Sequence, residues 1–453
     1  MGKSDRSKKK EPGTLMSFLV FGIAIAIILT GVVILEFDVH IVLLLALIFV
    51  CIVSGMLGYS FDDLVEFMKR ALGQAMSAMI IFIFIGVIIA SWIFSGTVQT
   101  LIYYGLQYIS PAVFLPVGLI LCSLTSMSIG TSWGTIGTMG IAMMGIGSGM
   151  GIPPAVTAGM VISGSFFGDK MSLISDTTNL APASAGTTLY KHIGAMWETT
   201  FPAYIISFVI FVIIGLSYQN GEINAETVAV FSDTIRANFK ISPILLLPMI
   251  VLLALNLMKF PAIPGMVIGS LLGVILAITV QGVPLGEVIA GLNYGYVKST
   301  GVEVVDTLLC RGGIQNMMYT FSLSCIAISF GGVMEHVGYL RKIIAVVIKG
   351  VKKDALMVPL VIASTTLGTL TMGEVYLSIV VNGNLYKETF KERGLRPEML
   401  SRLLEEGGTL TQCFIPWSTS GVFILATLGV GAGEYWKYAV LNYVNPILSI
   451  VLA

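Results

Sequence analysis

Apolar runs of about 20 residues, parted by short polar stretches, fill the chain, which is the pattern of a polytopic helical membrane protein. Met16–Leu35 and Ile41–Gly58 read as two spans joined by a short turn. Ser60–Gln74 is amphipathic, with Leu64, Phe67, Met68 and Leu72 at helical spacing. It suits an interfacial helix, with Lys69 and Arg70 on the cytoplasmic side. Ser77–Phe94 is a third span, and Gly96–Ser110, free of Lys and Arg, reads as an outside loop. Ala112–Met150 is long enough for a hairpin. Ser126, Ser128, Thr131, Ser132, Trp133 and Thr135 gather near its bend. Phe201–Ser217 is another span, and Tyr218–Lys240 reads as a polar connection without a domain in it.

Between the hairpin and that span lies the stretch that organises the rest. Pro153 and Pro154 open an apolar run that gives way to Gly164–Ala183, GSFFGDKMSLISDTTNLAPA. Asp169, Lys170 and Asp176 stand there among Ser172, Ser175, Thr177, Thr178 and Asn179, punctuated by Gly164, Gly168 and Pro182. A charge at bilayer depth costs about 2.5–3.5 kcal/mol on insertion scales. So many polar groups at one depth are tolerable where irregular backbone lines a cavity. The stretch therefore reads as the break in a discontinuous helix. Lys191 and His192 mark its cytoplasmic end.

The second half repeats the plan. Ile241–Met258 and Ile263–Val280 correspond to the first two spans, Val283–Gly301 to the interfacial helix, and Ile314–Gly332 to the third span. Ala355–Tyr386 carries a polar centre, Ser364–Glu374, between two basic loops, the second being Lys387–Arg402. Leu403–Val430 is a second broken segment, and Tyr438–Leu452 the last span. Ser128–Thr131 resembles Thr366–Thr369, and Ile174–Thr178 resembles Ile415–Thr419, at offsets of 238 (368 − 130) and 241 (419 − 178). Loops flanking Ala112–Met150 lack Lys and Arg, whereas those flanking Ala355–Tyr386 are rich in them. The two units thus enter from opposite sides, as inverted repeats do. The expected division is a basic cytoplasmic N-terminus (1–15), a first repeat (16–217), an extracytoplasmic loop (218–240) and a second repeat (241–453). Both termini are then cytoplasmic, and Lys298, Arg311 and Lys437 fall outside.

Composition agrees with an all-α membrane fold. Of 453 residues 56% are hydrophobic and 11% charged, against about 25% charged in a soluble domain. Mean hydropathy is +0.92. The net charge is zero, so nothing points to nucleic acid. The run after the basic start is too long for a signal-peptide core. Five scattered cysteines and three distant histidines argue against a transition-metal site. There is no GxxxxGK[ST] phosphate loop, so an ATP-driven pump is disfavoured. No GxSxG, HExxH or other hydrolase motif is present. That does not exclude a membrane enzyme, and a channel or membrane enzyme stands as a third reading behind a carrier; the expectation is a non-enzyme with no cofactor.

Asp176 is the first candidate for chemistry. With Thr177, Thr178 and Asn179 it offers hard oxygens to a small alkali cation, and the same carboxylate can take a proton instead. A plainer alternative makes Asp176 a cap on the second half-helix. Asp169 and Lys170 suit either an ion pair or, for Lys170, a bound anion. In the second half the candidates are Glu374, Glu405 and Glu406, the last two suiting an interface equally well. Ser418, Thr419 and Ser420 mirror Thr177, Thr178 and Asn179. Thr131, Ser132 and Trp133 are candidate lining groups, and Trp133 and Trp417 suit packing as well. Glu303, Asp306 and Arg311 read as solvated.

Gly164–Thr187, GSFFGDKMSLISDTTNLAPASAGT, closely resembles the signature region of the NhaC-type sodium/proton antiporters. Ser128–Thr135 and Gly407–Gly421 look like that family too, and the resemblance spans nearly the full chain. It implies Na⁺/H⁺ exchange across the cytoplasmic membrane, or coupled malate/lactate exchange. It also implies helical hairpins, an elevator-like motion and often a homodimer. Of the candidates, Asp169, Asp176, Thr177, Thr178 and Asn179 lie within the signature.

Overall fold

The computed structural model describes residues 10–218, 225–258, 260–351 and 353–453. Most of the basic N-terminal segment and part of the 218–240 connection lie outside them. Among the described residues every regular element is a helix. Among those residues seven helices are long and apolar enough to cross a membrane. Two bent pairs, 61–76 with 79–94 and 229–238 with 243–255, pass the same test together.

The chain opens with α1 (Thr14–Leu29), α2 (Val39–Met56) and α3 (Phe61–Phe94). α3 joins the expected interfacial helix and third span into one element, bent by 44° between Met76 and Met79. The expected loop at Gly96–Ser110 is instead α4 (Thr97–Tyr108), because Val98 and Ile102, four apart, are buried together. Next come α5 (Pro111–Ile129), α6 (Ser132–Thr135) and α7 (Ile141–Gly149), the last two joined by a π-helical turn at Ile136–Gly140. α5 and α7 form the expected hairpin. A β-carbon on Gly147 would stand 3.2 Å from Phe114, and one on Gly118 3.5 Å from Met143. α8 (Pro154–Met171) and α9 (Asp176–Ala185) are the broken segment. α10 (Leu189–Trp197) and α11 (Thr200–Ser217) follow. The polar connection carries α12 (Ala225–Asn238), held by buried Phe231, Ile235 and Phe239 at every fourth position.

In the second half stand α13 (Leu247–Leu257), α14 (Ala262–Leu276), α15 (Leu285–Tyr294), α16 (Glu303–Leu309), α17 (Ile314–Val337) and α18 (Tyr339–Gly350). α19 (Met357–Met372) and α20 (Val375–Glu392) are the second hairpin. α21 (Pro397–Gly407) and α22 (Thr419–Leu428) are the second broken segment, and α23 (Ala432–Tyr435) and α24 (Val440–Val451) close the chain. Helix takes up most of the expected Lys387–Arg402 loop.

Lipid is the solvent this surface suits. On α11, Ile205, Val209 and Ile213 are exposed, while Ala203, Ser207, Phe211 and Gly215 on the opposite stripe are buried. Large apolar groups face outward, and the small Ala203, Ser207 and Gly215 on the buried stripe let helix backbones approach. α8 lies close against α5. A β-carbon on Gly164 would stand 2.6 Å from the Leu119 carbonyl oxygen, and one on Gly168 2.2 Å from that of Ser123.

Landmarks recur 243 positions apart (373 − 130) along both hairpins and both broken segments. The hairpin tips turn at left-handed Gly130 and Gly373, and left-handed Gly151 and Gly394 follow the second arms. Pro154 and Pro397 start α8 and α21, Ser175 and Ser418 cap α9 and α22, and left-handed Gly186 and Gly429 end them. Gly407 meets the Ile362 carbonyl as Gly164 meets that of Leu119. The offset replaces 238 and 241: Gly130 pairs with Gly373, and Asp176, not Thr178, with Thr419.

Candidate functional site

The first break is built by its own polar residues. α8 ends as Ser172 turns extended, and its hydroxyl donates to the Met127 carbonyl at 2.9 Å. Ser175 caps α9, accepting from Thr178 N at 3.5 Å. Thr178 Oγ1 donates to the Asp169 carbonyl at 3.1 Å, and Asn179 Nδ2 to the Ser175 carbonyl at 2.8 Å. Thr178 and Asn179 therefore satisfy the freed backbone, as a break at membrane depth requires. Capping falls to Ser175, which leaves Asp176 in the first turn of α9 with an exposed side chain.

The tip of the first hairpin meets this break. Ser132 Oγ donates to Asp169 Oδ2 at 2.8 Å, and Asp169 is buried. Between tip and break lies a cavity of about 560 Å³. Thr131, Ser132, Trp133, Asp169, Asp176 and Thr177 line it, with Tyr376 and Gln412 from the second half. Its walls carry two carboxylates and several hydroxyls, and no Lys, Arg or His among the described residues. Trp133 also stacks on Phe82 and Phe423, at 5.1 and 5.4 Å between ring centres. Both readings of Trp133 hold together: packing on one face, lining on the other.

The second half is less open. Ser418 caps α22, accepting from Gly421 N at 2.9 Å, and its hydroxyl donates to the Gln412 carbonyl. Thr419 N donates to the Gly373 carbonyl at 2.9 Å, tying the second break to the second hairpin's tip. Glu374 caps α20 through Tyr376 N at 3.3 Å, and its Oε2 is buried without a protein partner among the described residues. Glu374, Ser418 and Thr419 lie outside the cavity lining.

Lys170 and Glu405 are also behind the wall rather than in it. Both are wholly buried, 3.3 Å apart, and this pair ties α8 to α21. The interfacial alternative for Glu405 and Glu406 fails: i, i+4 spacing from Ser401 and Arg402 turns both acids to the buried face of α21. Arg311, expected to be solvated, is partly exposed. It donates to the Thr427 carbonyl at 3.2 Å, at the C-terminal end of α22. Lys387 lies against Gly186 at the matching end of α9. A cation thus meets the negative end of each half-helix.

Tyr376 and Gln412 were not singled out from sequence. Gln412 stands 243 positions after Asp169, so the correct repeat register would have found it. The same register finds Tyr376, which stands 243 positions after Trp133.

Residues 164–453 match the family described as the Na⁺/H⁺ antiporter family. Among curated proteins, the chain is 34% identical over 436 residues to the Na(+)/H(+) antiporter NhaC of Alkalihalophilus pseudofirmus, covering 96% of this chain and 94% of that one. It is 34% identical over 433 residues to the malate-2H(+)/Na(+)-lactate antiporter of Bacillus subtilis, covering 96% and 92%. It is 32% identical over 457 residues to the arginine/ornithine antiporter ArcD of Halobacterium salinarum, covering 99% and 93%. The broken helix at Asp169–Asp176 thus sits in a chain that belongs to the Na⁺/H⁺ antiporter family.

Proposed function

We propose that this chain is a secondary antiporter that exchanges Na⁺ for protons by alternating access. The observation that carries this reading is the cavity lined by Asp169 and Asp176 with no cationic side chain on its wall. Asp169, Ser132, Thr177 and Asp176 supply oxygens of the kind a dehydrated Na⁺ needs. A cation held there opposes protonation of nearby acids by like-charge repulsion, and protonation opposes the cation. That exclusion is the least an antiporter requires.

The reading extends to topology. The two 243-offset units face opposite ways, both termini are cytoplasmic, and the protein resides in the cytoplasmic membrane as an elevator-type carrier and a homodimer. The contrast in basic loops supports the inversion.

A second reading is exchange of a small carboxylate coupled to these ions, as the name of the Bacillus subtilis relative describes. Lys170 was the cation such a substrate would use, and its burial against Glu405 removes it from the wall. A carboxylate here needs a co-bound cation. The deciding experiment is Na⁺-gradient-driven pH change in proteoliposomes, with and without malate or lactate. Exchange without either acid is expected; exchange only in their presence favours the second reading. Conduction with no counter-ion, measured electrically, would point to a channel.

A further inference from the structure

Four carboxylates are buried among the described residues: Asp169, Glu374, Glu405 and Glu406. Two of them face a cationic side chain, Glu405 with Lys170 at 3.3 Å and Glu406 with Arg402 at 3.6 Å. Asp169 and Glu374 have no such partner among the described residues. The cavity offers Asp169 a cation to face. Glu374 lies outside that lining, on the other hairpin, and its charge is left without a counterpart. Buried charges in proteins are paired or hold a metal ion.

Glu374 sits at the hairpin tip, one residue after left-handed Gly373. Its Oε1 accepts from Tyr376 N at 3.3 Å, and its Oε2 is buried and receives no hydrogen bond among the described residues. Capping α20 does not call for this side chain. Ser175 and Ser418 cap α9 and α22 with a hydroxyl, and a serine here would do the same without burying a charge. The bond from Thr419 N to the Gly373 carbonyl brings the start of α22 against the tip. The Thr419 hydroxyl faces the Glu374 carboxylate, is itself buried, and completes no hydrogen bond. Val375 and Tyr376, the next two residues, line the cavity, so Glu374 stands just behind its wall. Tyr376 feels the charges of Asp176 and Glu374 alike.

The repeat register relates this junction to the first. Thr131 (374 − 243) stands where Glu374 does, and Asp176 (419 − 243) where Thr419 does. In the first unit the hydroxyl is on the tip and the carboxylate on the break; in the second the two have changed places. Each meeting of tip and break therefore holds one carboxylate and one hydroxyl.

We infer that Glu374 and Thr419 form a second alkali-cation site, in the second repeat and behind the cavity wall. This rests on the antiport reading above and deepens it, since two sodium ions would then bind to one chain. One carboxylate among neutral oxygens balances one positive charge, so Na⁺ suits the site and a divalent ion would leave a net charge buried. With 1% of its surface exposed, Glu374 suits a bare ion and not an organic cation. Carbonyls that a broken helix leaves free complete such a shell.

The test counts labelled sodium bound at saturation to the purified full-length protein. Wild type is expected to hold two ions per chain. Glu374→Gln, whose amide oxygen can still accept from Tyr376 N, is expected to hold one. An unchanged count in a Glu374→Gln protein that still melts cooperatively overturns the inference; if that variant also releases fewer protons on adding Na⁺, Glu374 serves the proton instead. If Glu374→Gln does not fold, Thr419→Ala takes its place. One of two sodium affinities should then weaken about tenfold, and two unchanged affinities overturn the inference. A wild-type count of one, lost in Asp169→Asn, overturns the second site and leaves the antiport reading standing. A wild-type protein that binds no sodium overturns both.

Discussion

Asp169 and Asp176 share one short signature but meet different surroundings. Asp169 is buried and held by Ser132 Oγ at 2.8 Å; Asp176 lines the same cavity with an exposed side chain. Sequence put Asp176 first because Thr and Asn neighbours follow it, and Thr178 and Asn179 prove to satisfy backbone instead. The larger loss is therefore expected at the buried acid. Asp169→Asn should abolish Na⁺-driven proton movement in vesicles, and Asp176→Asn should weaken it; the reverse order would return Asp176 to the first place. Gly168 is a second test at this scale. An added methyl would meet the Ser123 carbonyl, which cannot swing aside as a side chain can. Gly168→Ala should lower stability by about 1–3 kcal/mol, seen as an earlier thermal transition in detergent. What the chain does not advertise is partnership. Lys170 and Glu405 stand 235 positions apart, and no local pattern links them.

At the scale of elements, the two breaks depend on their caps. Ser418 Oγ accepts from Gly421 N, and its loss uncaps α22. Ser418→Ala should cost about 1 kcal/mol of stability while leaving the cavity's carboxylates in place. A tether outside the spans joins α10 to α21. Burial works against the Glu198 carboxylate, but hydrogen bonds from Arg396 and the charge of Arg402 outweigh it and hold Glu198 below the ordinary value. The folded form therefore gains stability at pH above the ordinary carboxylate range, and loses it as pH falls through the lowered value. Glu198 is partly exposed, so the effect is small and weakens in salt. Glu198→Gln should flatten the acid side of a melting-temperature profile; an unchanged profile would remove the tether from the account. Long apolar helices and the first break were legible because their patterns are local. α4 was not. Its Thr and Gln residues look like a loop until Val98 and Ile102 find a core to enter.

Across the whole molecule, the landmarks 243 positions apart describe one design used twice. The repeat was visible in sequence, but its register was not, because Gly, Ser and Thr are common enough here to align at several offsets. The structure selects the offset through backbone facts: left-handed glycines, capping serines and starting prolines. Inversion makes a prediction of its own. Cysteines placed at Pro153, after the second arm of the first hairpin, and at Lys391, in the last turn of the second hairpin's second arm, should react with an impermeant label from opposite sides. Reaction from the same side would end the inverted arrangement. The central claim is that a sodium ion and a proton exclude each other around Asp169. The most direct measurement adds Na⁺ to the purified protein in weakly buffered detergent and follows pH. Wild type is expected to release protons and Asp169→Asn to release none. A wild-type protein that binds Na⁺ without releasing a proton would contradict the account.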